Sequence, residues 1–181
     1  MLYKSQALSF IEYRTPAIYH ACSTILERVD KLQRRFLREI GVSETEALLQ
    51  HSLAPLRARR DMAMLGVIHR TVLGLGPPHF QHFFRRRGGG QRHLTRLDCR
   101  RHSRQLVDPR DGSHSMLLTR SAFGLISVYN LLPQCIVDES SVKGFQSALQ
   151  SMLKAKAWTG LGNWEELFCP RGAMYCHSLL R

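Results

Sequence analysis

Between Thr24 and Ile40 apolar side chains return every three or four residues, at Ile25, Val29, Leu32, Phe36 and Ile40, a spacing that an amphipathic helix satisfies and a strand does not. Thr24-x-x-Glu27 has the form of a capping box, and Gly41 that of a C-terminal stop. The same period continues on both sides. Tyr3, Ala7, Phe10 and Ile11 predict a first helix that ends before Thr15-Pro16 and, with no capping residue ahead of Leu2, is expected to begin upstream of the first residue. Ser43-x-x-Glu46 predicts a short helix through Ala47, Leu48 and Leu49. Pro55 then opens a long helix with a stripe of Met62, Leu65, His69 and Val72 that closes at Gly74. His69, alone on an apolar face, reads as a core histidine.

From Arg85 to Arg110 the composition changes. Arg85-Arg86-Arg87 and Gly88-Gly89-Gly90 are followed by Arg92, Arg96, Arg100, Arg101 and Arg104, opposed only by Asp98 and Asp108, and the stretch reads as a flexible basic linker. Met116-Leu117-Leu118 reads as a short strand. A helix from Arg120 to Leu132, with Phe123, Ile126 and Tyr129 on one side, is ended by Pro133, and Ser140 or Ser141 caps a last helix striped by Val142, Phe145, Leu149 and Met152. Beyond Trp158 the chain turns on Gly160 and Gly162, and its tail shows no pattern. The fold class is therefore mainly α: a small helical bundle over residues 1–84, a basic linker over 85–113, a C-terminal helical pair over 114–158 and a tail over 159–181.

With 26 Lys and Arg against 14 Asp and Glu, the formal net charge is +12, and an anionic partner is the first expectation. No stretch approaches the roughly 20 apolar residues of a spanning helix and no signal-peptide core opens the chain, so the expectation is an intracellular protein with no membrane partner. Cys22, Cys99, Cys135, Cys169 and Cys176 are odd in number and irregular in spacing. Neither Cys99-x-x-His102 nor Cys169-x6-Cys176-His177 has the paired spacing of a zinc site, and no metal or other cofactor is expected. Two basic groups stand out. Arg28, Lys31, Arg35 and Arg38 share one face of the second helix, able to follow a phosphate backbone or to pair with Glu27 and its neighbours as a solvated face. Arg57, Arg59 and Arg60 crowd the opening turns of the long helix against its dipole, which points to a phosphate or to a carboxylate from another domain. The Arg85 to Arg110 run is open to three readings: nucleic-acid binding, nuclear import, or a tolerated insert.

Tyr129-Asn130-Leu131-Leu132-Pro133, then Val137, Ser141, Phe145 and Leu149, resembles the segment near the end of non-LTR (LINE-type) retrotransposon reverse transcriptases. That segment reads aromatic-Asn-x-Leu-Pro, Val, Ser-hydrophobic, Phe-x-x-x-Leu. Three further blocks agree in order: Leu8-Ser9-Phe10-Ile11-Glu12-Tyr13 with Pro16, Leu26 to Arg35, and Leu53-Ala54-Pro55-Leu56 with Arg59-Arg60. Together they span roughly residues 2 to 150. The resemblance implies helical thumb and post-thumb structure, an RNA/DNA template-primer duplex as ligand, and palm and fingers domains as missing partners. It implies no catalysis by this chain alone, because the aromatic-Ala-Asp-Asp motif that holds the metal ions is not matched and no Asp-Asp pair occurs. Two other readings stay open: a stand-alone basic helical adaptor, and a decayed element without function.

Overall fold

A computed structural model describes residues 2–87, 102–109, 116–160, 163–170 and 179. Cys99, Gly88 to Gly90, Gly162, Cys176 and His177 therefore lie outside the described residues, as do 88–101 and 110–113 of the expected linker. The described chain is mainly α-helical: a π-helical segment Tyr3–Leu8, then α1 (Ser9–Tyr13), α2 (Thr15–Ile18), α3 (Ser23–Glu39), α4 (Glu44–His51), α5 (Leu56–Val72), α6 (Met116–Arg120), α7 (Gly124–Tyr129), α8 (Gln134–Val137) and α9 (Val142–Trp158). Short 3₁₀ turns cover Pro78–His82 and Trp164–Glu166.

Helix ends follow their local chemistry. The Ser43 hydroxyl accepts the Glu46 amide and the Ser141 hydroxyl accepts the Gly144 amide. Gly41, at φ +70°, closes α3 with the Val42 amide donating back to the Leu37 carbonyl. Several expectations need correction. Thr24 does not cap α3, whose N-cap is Cys22 with no side-chain bond. Met116-Leu117-Leu118 is helical, and the helix expected from Arg120 to Leu132 is shortened to α7, Gly124–Tyr129, because Arg120 ends α6 and a turn follows at Ser121 to Phe123. Gly124 sits so close behind this joint that a Cβ there would lie 2.1 Å from the Thr119 carbonyl oxygen.

The buried face of α3 is Leu26, Gln33 and Leu37, while Ile25, Leu32 and Ile40 are exposed. At 3.6 residues per turn this rotates the expected stripe by roughly a quarter turn. Polar anchoring explains the rotation: Asp30 grips Arg60, and the Gln33 amide donates to the Ala54 carbonyl at 3.1 Å. A similar shift occurs at the amino end. The π-helical turn adds a residue per turn, so Tyr3 and Ile11 face inward as the stripe predicts, but Leu8 takes the buried place between them and Ala7 and Phe10 are exposed.

One large core joins the amino-terminal bundle to the later helices, with Leu65 and Ile68 of α5 packed among Leu125, Tyr129, Phe145, Leu149 and Leu153. The tail contributes too, since Leu167 and Phe168 are fully buried in that core. A second, smaller cluster gathers Leu8, Leu37, Ala47, Leu53 and Leu56 under α1. The two described ends of the basic stretch are anchored: Arg86 and Leu106 form an antiparallel bridge, and Leu106 and His102 are buried. Among the described residues, no helix is long and apolar enough to cross a membrane.

Candidate nucleic-acid interface

The amino end of α5 is where three other elements converge. Arg59 donates to the Glu12 carboxylate of α1. Arg60 grips Asp30 of α3 with both arms of its guanidinium, Nη1 to Oδ1 at 2.6 Å and Nη2 to Oδ2 at 2.9 Å. Arg57 donates to Glu166 at 2.6 Å and to Cys169 Sγ at 3.0 Å. Three cations against the helix dipole are thus compensated by anions from three elements. The carboxylates come from this chain and not from another domain. Arg60, 4% exposed, is turned away from solvent, so the arginine trio serves as a structural clamp more than as a ligand surface.

Beside it, a cavity of about 80 Å³ is lined by Tyr19, Asp30, Arg57, Arg60, Asp61, Arg120 and Cys169. The Tyr19 hydroxyl donates to Asp61 at 2.8 Å. Glu27 also lines it, so three arginines meet three carboxylates there, which gives an anion no net field to enter. Across the α3 flank, Glu44 lies against Glu165; burial first, and then the neighbouring carboxylate, push its acid above the usual range.

The outer face of α3 differs. Arg28, Lys31, Arg35 and Arg38 are all exposed and run along about 15 Å of helix. Arg35 pairs with Glu39 at 3.0 Å, an exposed i, i+4 contact of the kind worth about 0.3–0.5 kcal/mol, weak enough for a phosphate to displace. Helical spacing also offers Glu27 to Lys31 and Asp30 to Arg34; among the described residues neither ion pair forms, and Asp30 is taken by Arg60. Of the seven basic residues singled out by spacing, the structure therefore leaves the α3 four open to a ligand and ties the α5 three down.

The residues that carry the family resemblance serve the core. Leu132, Val137, Phe145 and Leu149 are fully buried. Asn130 acts as a backbone mimic: its Oδ1 accepts the Leu106 amide at 2.8 Å and its Nδ2 donates to the Leu106 carbonyl at 2.9 Å. Arg104 donates to the Val137 carbonyl at 2.8 Å, and the Gln134 side-chain oxygen accepts the Ser103 amide at 2.8 Å. Residues 102–109 are thereby strapped across α7 and α8. Replacing Asn130 by Ala strands the Leu106 amide and carbonyl, at about 1–3 kcal/mol for each buried group left unpaired. Amide exchange should accelerate at Leu106, Val107 and Arg87 while the α5 amides stay protected; unchanged exchange at Leu106 would remove the clamp role.

Two buried histidines sit at this junction. His69, fully buried and stacked on Phe145 with centroids 4.0 Å apart, donates from Nε2 to the Glu139 carbonyl, which leaves Nδ1 to accept the Tyr129 hydroxyl. His102 donates from Nε2 to the Tyr129 carbonyl and accepts the Arg104 amide on Nδ1. Both rings are therefore neutral, and burial holds both below the ordinary histidine range, with Arg104 adding to the effect. A depressed histidine makes the unfolded chain bind more protons at mildly acid pH. Stability should be fully present above about pH 6.5 and decline as pH falls below it. Urea midpoints at pH 7.5 and pH 5.5 test this, and His69→Gln, which loses one titrating ring, should flatten the decline.

Among the described residues, no three His, Cys, Asp or Glu side chains converge as a metal ion would require. Comparison of the chain with models of protein families, with curated proteins and with solved structures returns no match.

Proposed function

We propose that this chain is a non-catalytic, nucleic-acid-gripping helical region of the LINE-type reverse transcriptase kind, thumb and post-thumb in character, whose α3 lies along the phosphates of an RNA/DNA template-primer duplex. The ordered residue blocks motivate the family, and the net charge of +12 motivates an anionic ligand. The observation that carries the grip is the open row Arg28, Lys31, Arg35 and Arg38, held by a helix whose opposite face is fixed by Asp30 and Gln33. Phosphate contacts of this sort supply affinity without reading sequence, because released counterions provide the free energy. With four contacts, hybrid affinity should fall on the order of a hundredfold between about 50 and 200 mM salt. Salt-independent binding, or none at low salt, sinks the proposal.

A second reading rests on a different observation. Ile25 and Leu32 of α3 and Ile40 at its C-cap are 47%, 59% and 51% exposed, an apolar flank of the kind that seeks a partner. In the polymerase reading that partner is the palm or fingers of the parent enzyme; in the adaptor reading it is another protein. Size-exclusion chromatography separates them. A monomer with a cooperative melt favours an autonomous adaptor, and self-association that Leu32→Glu abolishes favours an edge made to be covered.

A further inference from the structure

At the far end of α5, away from the arginine clamp, the chain leaves the 3₁₀ turn Pro78–His82 and runs extended through Arg85 to Arg87. The Arg87 amide donates to the Gln105 carbonyl at 2.8 Å and the Val107 amide to the Arg85 carbonyl at 2.9 Å, so this ribbon is pinned to the strap 102–109. Its side chains alternate in use. Phe84 is buried, and Arg86 reaches inward to the Val72 carbonyl at 2.7 Å, closing the carboxyl end of α5. Phe83 and all three arginines are exposed, and of the arginines Arg86 is the one whose guanidinium is committed to the end of α5. Phe83 is 53% exposed yet held, its ring in a T-shaped contact with Phe123 with centroids 5.7 Å apart. Arg85 commits only Nε, to the His82 carbonyl, and Arg87 makes no side-chain bond among the described residues. Asp108 is the sole acid among residues 78–87 and 102–109, against Arg85, Arg86, Arg87 and Arg104.

We propose that Phe83, Arg85 and Arg87 form a site for single-stranded nucleic acid, with one base stacked on the Phe83 ring and adjacent phosphates against the two guanidinium groups. The elements of the site match what an unpaired strand offers. An exposed aromatic ring with one contact to a neighbouring ring keeps a face that any base can cover, and the stack needs no hydrogen-bond readout. Alternation in an extended segment sets Arg85 and Arg87 ~6.5–7 Å apart on one side, so each can meet its own phosphate. A duplex, whose bases are already stacked on one another, has no use for the ring. An apolar protein partner would have no use for the two unpaired cations. The inference rests on the proposed nucleic-acid function for the class of ligand, but it uses residues that α3 does not touch.

The test is fluorescence anisotropy with two probes, a short labelled oligothymidine and an RNA/DNA hybrid. Phe83→Ala should bind the oligothymidine about tenfold more weakly, within the range of base–aromatic stacking, while Phe83→Trp keeps the native affinity. Phe83→Leu, which keeps the contact with Phe123 but cannot stack, should behave like Phe83→Ala. Arg85→Gln with Arg87→Gln should reduce the salt slope on the single strand by about 1.4. Native-like binding by Phe83→Leu would overturn the site and indicate an apolar docking patch instead. So would a loss of less than about twofold in Phe83→Ala. Phe83→Ala should leave hybrid affinity unchanged, so a chain that fails on the hybrid but loses the oligothymidine with Phe83 refutes the α3 grip and not this site.

Discussion

Arg60→Met should be among the most damaging single substitutions in this chain, lowering the free energy of unfolding by about 3–5 kcal/mol. The side chain is 4% exposed and gives both arms to Asp30, itself only 18% exposed, so its removal strands a carboxylate in a place where water cannot fully solvate it. The cost belongs to the orphaned charge more than to the lost bond. Arg60→Met combined with Asp30→Leu should accordingly recover most of the loss, because two apolar side chains of similar volume leave no charge to desolvate. Urea unfolding of both variants measures the coupling. Equal destabilisation of the single and double variants would show that packing, and not the ion pair, holds α3 on α5.

Phe145→Ala should cost a similar amount by a different route, about 3–5 kcal/mol from lost transfer energy and the cavity left behind. Phe145 is fully buried on α9, stacked on His69 and tilted against Tyr129 with centroids 6.1 Å apart. Few neighbours can collapse into the gap, since His69 is fixed from both nitrogens and Tyr129 is held by its hydroxyl. For a chain of this length the melting temperature should drop on the order of 10 °C. Phe145→Leu, which retains most of the volume, should lose less than half as much. A small drop in both would mean that α9 packs on α5 through Leu149 and Leu153 alone.

How much of this was legible beforehand depended on whether the controlling interaction was local. Gly41, Ser43, Pro55 and Gly74 punctuate the chain by backbone preference and capping, which act within a few residues, and the ends of α3, α4 and α5 fall close to where they predict. Periodicity set the helices but not their rotation. The inward face of α3 is chosen by Asp30 and Gln33, polar residues that hydrophobic patterning counts as outward, and their partners Arg60 and Ala54 lie 30 and 21 residues away. A single π-helical turn shifted the first helix by one residue, and no side-chain pattern announces it. The strap was hidden for the opposite reason: residues 102–109 hold only Leu106 as a buried aliphatic anchor and are kept in place by Asn130, whose match to a family pattern marked it out without saying what it bonds. Leu167 and Phe168 are too short a run to carry a period, although they fill core space.

The candidate site divides along the same line. Arg28, Lys31, Arg35 and Arg38 could be read as an open face because helix geometry alone places them. Arg57, Arg59 and Arg60 were recognisable as cations set against a helix dipole, but their partners Glu166, Glu12 and Asp30 lie 109, 47 and 30 residues away and are visible only in the fold.

The most direct measurement of the proposed grip compares the native chain with a variant carrying Arg28→Ala, Lys31→Ala, Arg35→Ala and Arg38→Ala in the slope of log affinity for an RNA/DNA hybrid against log salt. All four positions are exposed, so the variant should fold. If α3 lies along the phosphates, the native slope should exceed the variant's by about 3–4 in magnitude, roughly 0.9 for each lost contact, with much weaker binding by the variant at low salt. Parallel slopes would place the charge that binds nucleic acid elsewhere on the molecule and contradict the account.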